Sequence, residues 1–187
     1  MTSLINPYEE HISEVIFTAE EIQTKVKSMA EEISLDYQDK NPICIGVLKG
    51  VFFFMADLLR AMPISLEVDF LAVNNYSPDD RKHGFVRLVK DLDVSITGRH
   101  VLFIEDVIDT GLTLNYLLRN LRDRKPASIN LAVLFNKPKL RFIDIPVKYK
   151  GFDLPDRFVV GYGLDHQEKF RNLPYVGMLK ADSILDV

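Results

Sequence analysis

The chain has 187 residues, of which 47% are apolar, 27% charged and 10% aromatic, with nine Gly and nine Pro. That length suits one domain able to bury roughly 70% of its unfolded surface, and the composition excludes collagen-like, linker-like and disordered chains. With 23 basic against 27 acidic residues, a net charge of -4 and a pI near 5.6, no global basic surface is available to hold nucleic acid by counterion release.

Residues 1–20 are polar and acidic and lack the basic start and apolar run of a signal peptide. The longest apolar stretches, 43–48 and 51–56, fall far short of the ~20 residues a membrane span requires. A cytoplasmic protein with no membrane partner is expected. Thr18 followed by Glu21 reads as a capping box, each side chain satisfying a free backbone N–H at a helix start. Ile22, Val26, Met29 and Ile33 then fall on one stripe of that helix. The run ICIGVL (43–48) reads as a buried strand. Cys44, the only cysteine, sits inside it and excludes both a disulfide framework and a multi-cysteine zinc site. Gly50 turns into a helix running to about Arg60, Pro63 ends it, and 64–73 reads as the next strand.

Residues 74–84 (NNYSPDDRKHG) hold turn formers and charges and predict an exposed, mobile loop. Strand character resumes over 85–89, and Thr97-Gly98 turns into the strand 100–106. Leu114, Leu117, Leu118 and Leu121 form the apolar face of a helix over 112–122. A strand at 128–135, a Pro-punctuated stretch to 157, FVVGYG (158–163) and a strand near 175–180 complete the chain. Apolar strands alternating with helices predict an α/β fold with a mostly parallel central sheet covered on both faces. All of it, 1–187, reads as a single domain.

The segment VLFIEDVIDTGLT carries the most chemistry. An apolar strand ends in Glu105 and Asp106, and after two apolar residues Asp109-Thr110-Gly111-Leu112-Thr113 opens a helix. Chemistry is thereby delivered to the carboxyl end of a parallel sheet, where α/β proteins keep their ligands. Free N–H groups at the helix start suit a phosphate, Gly111 permits close backbone approach, and Thr110 and Thr113 add hydroxyl donors. Vicinal ribose hydroxyls and a divalent cation are natural partners for Glu105 and Asp106. Taken alone, an acidic strand end is also what a solvated edge looks like, and Asp-Thr also serves as an ordinary helix cap.

IEDVIDTG resembles the phosphoribosyl-pyrophosphate (PRPP) motif of type I phosphoribosyltransferases, in the Glu-Asp-x-x-Asp-Thr-Gly form of their 6-oxopurine, hypoxanthine-guanine branch. The resemblance covers about residues 14–180 through four motifs in family order. It implies the type I fold: a central sheet flanked by helices, a small hood subdomain formed by the N-terminal segment and about 140–187, and a mobile loop. It also implies transfer of the phosphoribosyl group from PRPP to N9 of hypoxanthine and guanine, giving IMP and GMP with release of pyrophosphate.

Residue by residue, VLKG (47–50) matches the family's pyrophosphate loop, with Leu48, Lys49 and Gly50 in contact and the Leu48-Lys49 peptide often cis. In the mobile loop, Asn75-Tyr76 stands where the family has Ser-Tyr, keeping the aromatic and replacing the hydroxyl by an amide. Glu105 and Asp106 are implied to hold the ribose hydroxyls, directly or through Mg2+. The 109–113 loop is implied to hold the 5′-phosphate, with Leu112 where relatives are often polar. Asp109 falls on the catalytic carboxylate, placed to accept the purine N7 proton or to stabilise cationic charge on the base or ribosyl centre. Lys137 matches the lysine that donates to the 6-oxo group and disfavours adenine. Phe158 is implied to stack on the purine and Val159 to contact its edge. Asp165 is implied to serve a second Mg2+ and the purine, and Arg171 to bind pyrophosphate. Relatives are dimers or tetramers, so a homo-oligomer is implied.

Two alternatives accompany this reading. One is a transferase preferring xanthine. The other is a PRPP-sensing RNA-binding regulator, like the pyrimidine-operon attenuation protein of the same fold. The basic clusters at 119–125 and 137–141 would have to serve it, against an acidic net charge. His11, His83, His100 and His166 are scattered, with no pair at metal-ligand spacing.

Overall fold

The expected capping box opens the first long helix, α1 (Ala19–Tyr37): the Thr18 amide donates to Glu21 Oε2 at 2.8 Å and the Glu21 amide to Thr18 Oγ1 at 3.2 Å. The coordinates are a computed structural model that describes residues 7–75 and 86–185. β1 (Ile12–Phe17) precedes the helix. After it come β2 (Ile43–Leu48), α2 (Val51–Arg60), β3 (Glu67–Asn75), β4 (Val86–Lys90) and β5 (His100–Ile108). The chain continues through α3 (Leu112–Asp123), β6 (Ser128–Asn136), β7 (Tyr149–Asp153), β8 (Val159–Val160), β9 (Val176–Leu179) and α4 (Ala181–Leu185).

Six strands form the main sheet in the order β4-β3-β2-β5-β6-β7, and every pairing is parallel except β3 with β4. Its faces are covered as an all-apolar parallel sheet demands. On one face Ile22, Val26, Met29 and Ile33 of α1 join Phe54, Met55 and Leu58 of α2 over Cys44, Leu102 and Ile104. On the other, Leu114, Leu117, Leu118 and Leu121 of α3 cover Ile45, Phe103 and Val133. Each of those leucines contributes about 1.5–3 kcal/mol of transfer free energy. Cys44 has no solvent exposure and burial pushes its thiol up to about 12, so it is a packing residue and no nucleophile.

A second sheet, β1-β9-β8, is wholly antiparallel and joins the N-terminal segment to the C-terminal one. Of residues 140–187, β7 belongs instead to the main sheet as its edge strand. Several boundaries differ from the sequence expectation. β3 starts at Glu67, not 64, because its first partner, Ile43, follows Pro42, whose carbonyl accepts the Glu67 amide. β5 runs to Ile108, so Glu105 and Asp106 lie inside the strand and not at its end; pairing with β6 carries it two residues further. FVVGYG keeps only two strand residues, because Gly161, Tyr162 and Gly163 all take positive φ. No helix among the described residues is long and apolar enough to cross a membrane.

Candidate functional site

Strand order reverses between β2 and β5: the chain leaves β2 for β3 on one side and β5 for β6 on the other. Such a switch point leaves a crevice at the strands' carboxyl ends. Here it is an open cleft of about 260 Å3 lined by residues 47–50, 105–111, 113 and 114. The VLKG loop and the EDVIDTG segment, far apart in sequence, thus form its two walls. The Leu48-Lys49 peptide is cis, as the resemblance implies.

Up to Ile104, β5 alternates strictly between the two faces of the sheet. Leu102 and Ile104 face α1 and α2, whereas Val101 and Phe103 face α3. Beyond Ile104 the alternation breaks, Val107 packing on the α2 side and Ile108 on the α3 side, and both Glu105 and Asp106 line the cleft. Asp106 Oδ2 sits against the Cα of Gly50, where any Cβ would collide with it. Gly163, at φ +97°, is also pressed against Gly50, whose carbonyl a Gly163 side chain would strike. Gly50 and Gly163 are therefore glycines because three backbone and carboxylate surfaces meet there.

Both carboxylates are half-buried on the cleft floor. Burial, then the neighbouring Asp106, raises Glu105 well above the usual carboxylate range. Burial likewise raises Asp106 to about 6, opposed by its Val107 amide hydrogen bond and by the charge of Arg171, and aided by Asp165. Desolvated acids of this kind favour hydroxyl donors or a cation. Among the described residues no three His, Cys, Asp or Glu side chains converge as a ready-made metal cage. The pair fits a hard cation that keeps waters and substrate oxygens and takes one or two carboxylates from the protein, as Mg2+ does.

The opposite wall is the start of α3, with Gly111 as its N-cap at φ +81°. A side chain there would press on Ile145 Cδ1 at 3.2 Å and on the Ile143 carbonyl at 3.3 Å. The Thr110 carbonyl accepts the Phe142 and Ile143 amides, tying this turn to the segment after β6. Thr110, Gly111 and Thr113 line the cleft, whereas Leu112 is exposed and lines a separate groove with Tyr116 on the outside of α3. Asp109, half exposed at the rim, is 3.1 Å from Lys137 Nζ. Lys137 is held there because its amide donates to the Ile108 carbonyl at 3.0 Å.

The C-terminal motif reaches the same place through Gly163. Arg171 Nη1 donates to the Gly163 carbonyl at 2.7 Å, its Nη2 lies 2.9 Å from Asp165 Oδ1, and its buried Nε has no partner among the described residues. Lys49 Nζ lies 3.0 Å from Glu168 Oε2. Glu168 is an addition to the sequence expectation; its only signal there was an acid three residues from both Asp165 and Arg171. Phe158 is half exposed, with the His166 ring edge-on at 5.4 Å, and Val159 is buried in β8. Asn75 ends β3 opposite Val86, and Tyr76 lies outside the described residues.

Comparison with known proteins agrees with this geometry. A model of the phosphoribosyl transferase domain matches residues 14–167. A hypoxanthine-guanine phosphoribosyltransferase of Bacillus subtilis is 50% identical over 90% of this chain and 94% of its own. One from Streptococcus thermophilus is 45% identical over 93% of this chain and 97% of its own. The crystal structure of a hypoxanthine phosphoribosyltransferase from Staphylococcus aureus superposes with a TM-score of 0.88 at 42% identity, covering 98% of this chain and 99% of that one. A switch-point cleft walled by VLKG and EDVIDTG, in a chain this close to those relatives, makes the protein a member of the phosphoribosyl transferase domain family.

Proposed function

We propose that this protein is a purine-salvage enzyme that transfers the 5-phosphoribosyl group of PRPP to N9 of hypoxanthine and of guanine, giving IMP or GMP and pyrophosphate. The observation that carries the reading is the meeting of Asp109 and Lys137 at the rim of the cleft. A carboxylate suited to the purine N7 proton and an ammonium suited to a 6-oxo group are thereby presented to one planar base, beside a helix start suited to a phosphate.

The α3 N-terminus, with Thr110, Gly111 and Thr113, takes the 5′-phosphate. Glu105 and Asp106 take the ribose hydroxyls. Lys49, Gly50 and Arg171 receive the pyrophosphate, and Phe158 stacks on the base while Val159 meets its edge through backbone groups. As the bond from C1′ to the pyrophosphate oxygen breaks, the bond to N9 forms and Asp109 accepts the N7 proton. Lys137 donates to the 6-oxo group and would meet a 6-amino group donor to donor. Glu105, Asp106 and Asp165 would hold a Mg2+ ion arriving with PRPP, which would supply positive charge against the leaving pyrophosphate. We place the protein in the cytoplasm as a homodimer or homotetramer, with β1, β8 and β9 in its hood; light scattering measures the assembly.

The test is an assay of purified protein with PRPP, magnesium and, separately, hypoxanthine, guanine, xanthine and adenine. Nucleotide from the first two and none from adenine is expected. Xanthine as the best substrate would favour the xanthine-preferring reading. No nucleotide from any base, together with salt-sensitive RNA retention on a gel, would replace the enzyme by the regulator.

A further inference from the structure

Lys49 and Arg171 stand far apart in sequence, yet one carboxylate spans them. Glu168 Oε2 lies 3.0 Å from Lys49 Nζ and Oε1 lies 3.4 Å from Arg171 Nη2. Asp165 anchors the same turn, its Oδ1 2.9 Å from Arg171 Nη2 and its Oδ2 accepting the Glu168 amide at 2.9 Å. The acid-acid-base spacing of Asp165, Glu168 and Arg171 mimics a helix, but Gln167, Glu168 and Phe170 all have positive φ. The irregular turn is what sends Glu168 across to the VLKG loop. Two cations and two carboxylates cancel in this cluster, so an anion arriving at Lys49 and Arg171 meets charges already engaged.

We propose that Glu168 is a built-in competitor of pyrophosphate: its carboxylate holds the Lys49–Arg171 pair when the product is absent and yields it when the product binds. The proposal rests on the pyrophosphate reading of those two residues. The geometry suits a group that must let go. Glu168 and Lys49 side chains are 61% and 69% exposed, so the carboxylate swings into water without burying a charge. Arg171 keeps Gly163 and Asp165 when Glu168 leaves, so the guanidinium stays in place. Once pyrophosphate departs, Glu168 recloses on both cations. The device thus weakens the hold on a highly charged product and eases its release.

Isothermal titration of inorganic pyrophosphate, in the presence of magnesium, into the wild type, E168Q, K49A and the K49A/E168Q double variant tests this. IMP is titrated into each as the control at the 5′-phosphate site. E168Q should bind pyrophosphate roughly three- to tenfold more tightly, the scale of one or two exposed ion pairs. K49A should bind it more weakly, and the gain from Glu168→Gln should shrink in the double variant. IMP affinity should be unchanged by Glu168→Gln. Unchanged or weaker pyrophosphate binding by E168Q, with K49A still weakened, overturns the competitor role and leaves the pyrophosphate reading standing. An equal gain in both backgrounds also overturns it, since that is plain charge removal. Pyrophosphate binding indifferent to both residues overturns the subsite reading itself.

Discussion

Lys137 Nζ lies 3.1 Å from Asp109 Oδ1, so the two side chains assigned to the purine hold each other across the site that the base would enter. The contact is largely outside the core, Asp109 being 52% exposed, and contributes little to stability, within about 1 kcal/mol. Its consequence is for catalysis. Asp109→Ala should lower kcat at least about tenfold, a loss of roughly 1.4 kcal/mol of transition-state stabilisation, while leaving PRPP affinity mostly intact. Near-normal turnover in a steady-state assay would remove Asp109 from the catalytic role.

Lys137→Ala should instead act on the base. With the ammonium gone, hypoxanthine should bind about tenfold more weakly and the penalty against adenine should fall. Comparing kcat/KM for hypoxanthine and adenine in this variant checks it, and unchanged selectivity would refute the 6-oxo assignment.

Glu105 and Asp106 carry a pH signature. Both are raised in the folded chain, Asp106 from its ordinary 3.8 to about 6. Between those values the folded state holds more protons than the unfolded one, so stability falls as pH rises through the window. Asp106→Asn removes the cost of ionising this site. The variant should match the wild type near about pH 4 and, without ligand, melt a few degrees higher above about pH 7. The gain is roughly 1–2 kcal/mol once partial access to water is discounted. Thermal unfolding of both proteins across that range measures the slope, and parallel curves would contradict it.

Much of this molecule was legible because its signals are local and periodic. The α1 and α3 stripes, the Thr18–Glu21 cap and the contiguous EDVIDTG segment each declare themselves within a few turns of chain. β1 and β7 escaped because they are short edge strands of their sheets whose apolar residues are interrupted, by Ser13 and Glu14 in β1 and by Lys150 and Gly151 in β7, so neither shows a regular alternation or a long apolar run. Asp69 escaped for another reason. It is a buried acid satisfied by the Phe70, Asp93 and Val94 amides and by Lys90, and three of those four partners lie more than twenty residues away. Glu168 and the Gly50–Gly163 contact are likewise products of tertiary folding, written in no short motif.

The glycine contact predicts a specific failure. A side chain at Gly163 would meet the Gly50 carbonyl and would have to adopt φ +97°, which L residues avoid. Gly163→Ala should therefore cost about 2–4 kcal/mol in denaturant unfolding. Because Gly50 is also pressed against Asp106, the same variant should weaken PRPP binding. Wild-type stability with wild-type PRPP affinity would show that the two glycines do not constrain each other.

Tyr162, between Gly161 and Gly163, secures that turn from below. It is buried, and its hydroxyl donates to Asp57 Oδ2 at 2.7 Å, on the carboxylate that Gln23 also reaches at 2.6 Å. Burial, then the bond to Asp57, raises the hydroxyl's pKa, so it stays a donor throughout the accessible pH range. Tyr162→Phe removes one of two donors to a charged acceptor and should cost about 1–2 kcal/mol. Since the adjacent Gly163 positions Gly50, the variant should raise KM for PRPP more than it lowers kcat. Gln23→Ala, which removes the other donor from a helix remote from the cleft, should cost comparable stability with no change in KM. A Tyr162→Phe protein that loses stability but keeps its KM would show that the hydroxyl secures the fold alone and has no hold on the PRPP loop.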